Sequence, residues 1–122
     1  MVGIGPFIPH HETRFKEEKK GDLQKTLLLL SIIRIILPKA NIPATTALGT
    51  VDKRGRELGI LAGANVVMPN LSPCTVRKQY ELYDAKICTG EEAAECAECL
   101  KRRIASTGYE LVVLRGDSAA SR

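Results

Sequence analysis

The most informative part of the sequence is the stretch Asn41-Ile42-Pro43-Ala44-Thr45-Thr46-Ala47-Leu48-Gly49-Thr50. It predicts a short strand over residues 42–49 whose C-terminal end carries two adjacent hydroxyl side chains, Thr45 and Thr46, before a break at Gly49. In α/β proteins, ligands bind at the carboxyl ends of parallel strands. Threonine is also favoured in strands for packing alone, but the position at a strand end favours a role in ligand binding.

The rest of the chain predicts alternating strands and helices. The strands are expected over residues 2–9, 42–49, 64–70 and 109–114. The helices are expected over residues 23–37, 56–61, 73–83 and 91–106. Asp22 is the expected N-cap of the first helix, most of whose circumference should be covered because its polar positions form a narrow stripe. Residues 10–21 are polar and predict a surface loop. This order indicates an α/β fold with a parallel sheet and right-handed crossovers.

Length and composition set further limits. A chain of 122 residues is one domain or a piece of one, and its 44% hydrophobic content supports a packed core. An eight-unit barrel takes about 250 residues, so the chain could form at most about half of one. Its net charge of +4 is scattered, which argues against nucleic-acid binding. Neither a membrane span of about 20 apolar residues nor a signal peptide is visible, which predicts a cytoplasmic protein with no membrane partner.

Three cysteines form the pattern C-x7-C-x2-C, at Cys88, Cys96 and Cys99. Thiolates are soft ligands, and the x2 spacing lets two sulfurs converge on one ion. The pattern favours metal or cluster binding and leaves zinc and iron–sulfur both open. The alternative is that the cysteines are simply small residues in or near a helix. Cys74 is expected to be a small buried apolar residue.

Two histidines precede a glutamate, at His10, His11 and Glu12. Such a run could bind a metal, but consecutive residues of an extended chain point in opposite directions. A polar loop in which one histidine orients another group is therefore the favoured interpretation.

Other candidates lie further along the chain. Met68 and Asn70 occupy the end of the strand predicted over residues 64–70, where Asn70 is expected to face the cavity or begin a turn. Tyr80 and Tyr83 are three residues apart and share one face of their predicted helix, which usually indicates core packing with the hydroxyl groups at the rim.

Four blocks in this order resemble the C-terminal part of the HydE family, the radical S-adenosylmethionine maturases of [FeFe]-hydrogenase, which are relatives of biotin synthase. The blocks are Met1–His10, Asn41–Thr50, Gly63–Asn70 and Leu82–Cys88. The resemblance extends from about Met1 to about Gly108. A single block would also fit relatives of biotin synthase or methylornithine synthase.

The resemblance implies a partial (β/α)8 TIM barrel. Residues 1–86 would supply its last three strand-helix units, and residues 87–122 a C-terminal extension with a disordered tail. The radical chemistry of the family needs S-adenosylmethionine and a [4Fe–4S] cluster held by C-x3-C-x2-C, a motif that this sequence lacks. The chain is therefore expected to be a fragment of an enzyme and to be inactive alone.

The resemblance also implies roles for individual residues. The cavity for S-adenosylmethionine and a small anionic or iron-bound, cysteine-derived substrate would be lined by Met1, Thr45, Thr46, Met68, Tyr80 and Tyr83. The cysteines at 88, 96 and 99 match the spacing of an auxiliary [2Fe–2S] or [4Fe–4S] site that some members carry. The loop after His10 departs from the His-Pro-Asp-Thr-Pro-like pattern of the family, because His11 stands in place of proline.

Two alternatives stay open. The chain could be a fragment of a biotin synthase-like or methylornithine synthase-like radical enzyme. It could instead be a non-catalytic α/β module that binds a metal and pairs with another chain. In each case the bare edges of a short parallel sheet predict association, with a missing N-terminal half or with a second copy.

Overall fold

A computed structural model describes residues 1–87 and 93–118, apart from the side chains of Lys78, Ala93, Ala94 and Glu95. Four α-helices and one 3₁₀ helix are present in these ranges. The α-helices are α1 (Leu23–Ile36), α2 (Thr46–Val51), α3 (Gly55–Leu61) and α4 (Ala93–Ala105), and the 3₁₀ helix covers Cys74–Tyr80. Helix α3 packs against α1, α2 and α4. The short α3 is therefore the centre of the helix packing.

Helix α1 begins and ends as the sequence predicts. The side chain of Asp22 caps its start, with Oδ1 accepting a hydrogen bond from the amide of Lys25 at 2.8 Å. Such a cap satisfies an amide that has no partner within the helix. The last turn is closed by the amide of Leu37, which donates to the carbonyl of Ile33 at 2.8 Å, and Pro38 follows.

The prediction that most of α1 is covered is wrong for the described part of the chain. Only Thr26 and Leu30 are buried in this helix. Large apolar side chains on its other faces are exposed, namely Leu28, Leu29, Ile32, Ile35 and Ile36. Among the described helices, α3 is the main neighbour of α1, so the narrow polar stripe gave the wrong expectation.

A single parallel bridge, between Pro43 and Val66, is the strand pairing formed within the described residues. The amide of Ala44 donates to the carbonyl of Val66 at 2.8 Å, and the amide of Val66 donates to the carbonyl of Ile42 at 3.2 Å. The Asn65 side chain accepts from the amide of Ile42 at 2.8 Å. The parallel direction agrees with the predicted α/β order. One bridge does not test the partial barrel, which stays a prediction.

The strand predicted over residues 42–49 is wrong in its second half, because α2 begins at Thr46. Thr45 has an extended backbone and is the N-cap of this helix, with Oγ1 accepting from the amide of Leu48 at 3.4 Å. Threonine is a preferred N-cap as well as a strand former. Here the capping preference determines the structure.

The terminal strands predicted over residues 2–9 and 109–114 are also wrong, since neither range is assigned to a strand. The first range contains Pro6 and Pro9, which cannot donate to a ladder. A hydrogen bond from the amide of Val2 to the carbonyl of Asn41, at 2.8 Å, joins this range to the residue before the strand predicted over residues 42–49.

Helices α2 and α3 approach each other closely at Gly55. A Cβ atom at this position would lie 2.0 Å from the carbonyl oxygen of Leu48. Only glycine fits such a contact with the backbone. Helix α3 ends before Gly63, whose φ is 113°, as the sequence predicts.

The helix predicted over residues 73–83 is shorter and tighter than expected, because the 3₁₀ helix ends at Tyr80. The helix predicted over residues 91–106 is found as α4, although residues 91 and 92 lie outside the described residues. None of the described helices is long and apolar enough to cross a membrane.

The buried core lies between α1, α2, α3 and the 43–66 bridge. Leu30, Ile42 and Leu48 are its largest fully buried side chains, and α4 adds Ile104. This core holds in place the residues that follow the bridge and the start of α2. The candidate site lies beside these residues.

Candidate functional site

A cavity of about 170 Å³ lies where the sequence predicts a ligand site, beside the start of α2. It is lined by Thr46, Arg56, Met68, Asn70, Lys86 and two apolar residues, Pro69 and Ile87. Pockets for drug-sized ligands measure about 300–1,000 Å³. This cavity therefore suits a ligand of about amino-acid size.

The two cations of this cavity come from different parts of the chain. Arg56 lies in α3 and is buried, with 3% of its surface exposed. Gly49 makes room for it: a Cβ there would lie 3.1 Å from Nε of Arg56 and 2.7 Å from Cδ1 of Ile87. Lys86 is half-buried, and its Nζ donates to the carbonyl of Tyr80 at 3.1 Å. The small residue in α2 thus lets α3 and the 84–87 segment meet beside the cavity.

The polar neutral groups complete the cavity. Asn70 both lines it and begins a turn, its Oδ1 accepting from the amide of Ser72 at 3.2 Å, so both roles considered for this residue are present. Thr46 is half-buried at the first residue of α2. Two cations and two hydrogen-bonding side chains form a site suited to a small anion.

The predicted cavity residues are only partly brought together. Thr46 and Met68 line the same cavity, whereas Thr45, Met1, Tyr80 and Tyr83 are not among its lining residues. Met1 and Tyr80 are exposed, at 74% and 59% of their surfaces. Tyr83 is half-buried. The roles that the resemblance implies for these residues stay predictions.

A second cavity, of about 300 Å³, is lined by two of the three predicted thiol ligands. Cys96 and Cys99 both line it, with Lys53 and Arg103. Residues three apart on a helix share a face, which is why both thiols of α4 reach the same space. Cys96 is buried and Cys99 is exposed. Cys88 lies outside the described residues, directly after Ile87, which lines this cavity too.

These two cavities share a wall, because Arg56 and Ile87 line both of them. Glu57, the residue after Arg56 in α3, forms a forked ion pair with Arg103 of α4, with N–O distances of 2.6 and 2.7 Å. Arg103 also donates to the carbonyl of Lys53. Burial alone would raise the pKa of Glu57, but hydrogen bonds from Arg103 and from the backbone outweigh it, so the pKa of this carboxyl is lowered.

The two histidines do not point in opposite directions, so that expectation is wrong. Their rings stack with centroids 4.5 Å apart and planes 18° apart, because a turn begins at His11. Nδ1 of His11 lies 2.7 Å from Oδ1 of Asp84. This hydrogen bond is the main reason why the pKa of His11 is raised and the pKa of Asp84 is lowered. A histidine that orients another group was the favoured interpretation, and the Asp84 contact agrees with it.

Sequence reasoning missed Arg56, Lys86 and Asp84 as site residues. A charged residue in a short helix predicts an exposed side chain, so no local signal marked Arg56 as buried. Asp84 is separated from His11 by 73 positions, and no periodicity relates the two. Lys86 lies within the fourth block that carries the family resemblance, which is the one signal that could have drawn attention to it.

Comparison with known proteins shows which proteins the chain is similar to. No family model matches it. It is 50% identical over 108 residues to the [FeFe] hydrogenase maturase subunit HydE of Thermotoga maritima. The chain is homologous to HydE. The alignment covers 88% of this chain and 31% of the maturase, so the chain spans about a third of the length of this relative.

A second relative is more distant. The 3-methylornithine synthase of Methanosarcina barkeri is 28% identical over 110 residues, which are 90% of this chain and 30% of the synthase. Both relatives therefore match over nearly the whole of this chain and over less than a third of their own lengths. The higher identity confirms the resemblance to HydE.

Proposed function

We propose that this chain forms the C-terminal part of a radical S-adenosylmethionine enzyme that matures the H-cluster of [FeFe]-hydrogenase. The observation that carries the proposal is the 50% identity to HydE over 108 residues. The identity to 3-methylornithine synthase is only 28%, which favours the maturase over the methylornithine synthase-like alternative. Neither of these two relatives is described as a non-catalytic metal-binding module.

The role proposed for this chain is to build one wall of the substrate cavity. Arg56 and Lys86 would attract the anionic group of a small substrate, and Thr46 and Asn70 would fix its orientation by hydrogen bonds. Met68, although half exposed here, would exclude water from one side. Positioning of this kind is what the protein contributes when a cofactor supplies the reactive species.

Membership of the radical S-adenosylmethionine superfamily implies S-adenosylmethionine and an iron–sulfur cluster as cofactors of the intact enzyme. The cluster-binding motif C-x3-C-x2-C does not occur in this sequence, so its residues supply no ligands to that cluster. We expect this chain alone to be unable to cleave S-adenosylmethionine.

The thiols of the larger cavity fit an auxiliary iron–sulfur site. Cys96 and Cys99 face one space, and soft thiolate pairs are the ligands that such clusters use. Together with Cys88 they would hold the cluster. Lys53 beside them would balance part of the negative charge of the thiolates.

The chain is also proposed to associate with further polypeptide, either the rest of a barrel or a second copy. Its described residues form one parallel bridge, and five large apolar residues of α1 are exposed. An open parallel edge and an uncovered apolar helix face both favour association.

A chimera tests the proposed function. The segment of Thermotoga maritima HydE that aligns with this chain would be replaced by the 108 aligned residues, and the product would be expressed in a hydrogenase-producing cell that lacks its own HydE. We expect hydrogen production to be restored. A chimera that folds and binds S-adenosylmethionine but yields no hydrogen production would contradict the proposal.

Two arginine variants of the chimera examine the cavity. Arg56→Met should lower hydrogen production about 10-fold or more, because a charge-assisted contact to the substrate is lost. Arg54→Met is the matched control, since Arg54 is exposed two residues away, and it should change production less than about twofold. Equal losses in both variants would argue against a role for the cavity.

A further inference from the structure

Three side chains of types that can bind a metal ion meet at the end of the first segment, residues 1–11. They come from distant parts of the chain. His10, His11 and Asp84 each offer a ligand atom, and these atoms lie within 4.8 Å of one another. Asp84 is held there by its backbone as well, because its amide donates to the carbonyl of Pro9 at 3.1 Å. Both a side-chain and a backbone contact therefore fix the two segments against each other.

We propose that His10, His11 and Asp84 bind a divalent transition-metal ion of the zinc class. Two imidazoles and one carboxylate are a donor set that suits zinc and related ions. Three protein ligands would leave a further coordination position open to water or to an external ligand. This site is separate from the thiols of α4 and does not depend on the proposed maturase function.

The hydrogen bonds of the cluster assign the ligand atoms. Nδ1 of His10 accepts from the amide of Glu12 at 3.1 Å, which leaves Nε2 of His10 to face a metal ion. His11 presents Nδ1 to Asp84 and Nε2 to Glu12, whose Oε1 lies 4.0 Å away. A ring nitrogen held by a carboxylate orients the opposite nitrogen of a metal-binding histidine. Glu12 beside Nε2 would thus orient Nδ1 of His11 towards the ion, and Asp84 would bind the ion itself.

The distances require only a local adjustment. Zinc bonds of about 2.0–2.2 Å place the ligand atoms of a tetrahedral site about 3.3–3.6 Å apart. The three ligand atoms lie within 4.8 Å of one another, so the two stacked rings would rotate and the His11–Asp84 hydrogen bond would be replaced by bonds to the ion. His11 is exposed and His10 is half-buried, so no packed core opposes that rotation.

Metal binding would have a consequence for the cavity of about 170 Å³ beside the start of α2. Asp84 lies two residues before Lys86, which lines that cavity. An ion bound by Asp84 and the two histidines would hold the 84–87 segment against the first segment. We therefore expect the amides of residues 84–87 to exchange more slowly with deuterium when the ion is bound.

Zinc titration of the untagged chain tests the site. The chain contains only two histidines, so all imidazole binding comes from this cluster once no affinity tag is present. To remove competing thiols, all four cysteines would be replaced by serine. Calorimetry at about pH 7.5 should give one zinc ion per chain.

Three variants are compared in the same background. His11→Ala and Asp84→Asn should each weaken zinc binding about 10-fold or more. Glu18→Gln, in the same exposed loop, is the control and should match the parent within about twofold. Binding that is absent from the parent, or that is as tight in His11→Ala or Asp84→Asn as in the parent, would overturn the proposal.

Cobalt substitution provides a second measurement in case the cysteine-free chain does not fold. In the chain with its natural cysteines, thiolate-bound and imidazole-bound cobalt give different absorption bands. His11→Ala should remove the bands of the nitrogen–oxygen site and keep the thiolate bands. A spectrum that is unchanged in His11→Ala would contradict the site.

Discussion

Residues 22–67 and residues 68–87 are held in place by different kinds of interaction. The first region contains α1, α2 and α3 around Leu30, Ile42 and Leu48, each of which is fully buried. In the second region, one 3₁₀ helix is the only helix or strand among its residues. Several of its large apolar side chains are exposed, including Leu71, Tyr80 and Leu82.

Polar contacts replace the core in the second region. Among the side chains that the structure describes in this region, Arg77 is the one buried charged group, 2% exposed. Nε of Arg77 donates to the carbonyl of Ser72 at 2.7 Å, and Nη2 donates to the carbonyl of Asn70 at 3.2 Å. The first region thus supplies most of the folding free energy, whereas the second shapes the cavity wall at lower stability.

The largest effect is expected in the core of the first region. Leu48→Ala should lower the free energy of unfolding by about 3 kcal/mol, because it removes apolar contacts and leaves a cavity. Leu48 is fully buried, and its Cδ1 approaches within 3.1 Å of the position that a Cβ of Gly59 would occupy. Urea unfolding followed by circular dichroism measures the change.

The matched control is the same leucine-to-alanine substitution at a position in the second region. Leu82→Ala should change the free energy of unfolding by less than about 0.5 kcal/mol, because 77% of Leu82 is exposed. If the two leucine variants were destabilised equally, the contrast between the regions would not hold.

The next effect concerns the ion pair that joins α4 to the first region. Glu57→Gln should lower the free energy of unfolding by about 2 kcal/mol at neutral pH, because a buried charge-assisted hydrogen bond to Arg103 is lost. The pKa of Glu57 is lowered in the folded chain. Its contribution is therefore present above the pKa of the unfolded state and is lost as the pH falls through the folded pKa.

Acid unfolding measures that contribution. The unfolding free energy of Glu57→Gln should depend less steeply on pH than that of the parent below about pH 5. Glu98→Gln is the control, since Glu98 is exposed on α4, and it should keep the slope of the parent. A parental slope in Glu57→Gln would show that the ion pair does not contribute.

The first region was also the part that the sequence predicted best. Asp22 before an apolar run and Pro38 after it marked both ends of α1, because capping and proline act locally. The parallel direction of the bridge between residues 43 and 66 agrees with the predicted order of elements. The helical start at Thr46 was missed because a threonine after an extended stretch suits either a strand or an N-cap.

The cavity that both regions line was harder to predict because its contacts join distant residues. Thr46 and Met68 were expected at one cavity and both line it, but the cations beside them were not expected. A burial pattern at period 3.6 or 2.0 identifies apolar faces. Such a pattern carries no information about Arg56, a buried arginine whose position depends on Gly49 in α2.

A smaller and more local effect is expected at Arg77. Arg77→Lys replaces a forked guanidinium by a single ammonium group, which cannot reach the carbonyls of Asn70 and Ser72 in the same way. Local opening of residues 68–77 should become easier by about 1 kcal/mol. Hydrogen exchange should report faster exchange there and unchanged exchange in α1.

The exposed Arg102 of α4 supplies the control for that substitution. Arg102→Lys should leave exchange in both regions as it is in the parent. If Arg77→Lys instead increased exchange in α1 as well, the two regions would unfold as one unit and the contrast drawn between them would fail.

The smallest effect compares two adjacent threonines at the boundary of the cavity. Thr45→Ala should lower the free energy of unfolding by about 1 kcal/mol, because the N-cap of α2 is lost. Thr45→Ser keeps an oxygen that can accept from Leu48 and should recover most of that loss. Thr46→Ala removes a side chain that lines the cavity, so it should change stability by less than about 0.5 kcal/mol. Urea unfolding of the three variants separates capping from cavity lining, and an equal loss in Thr45→Ser and Thr45→Ala would show that the hydroxyl group does not act as a cap.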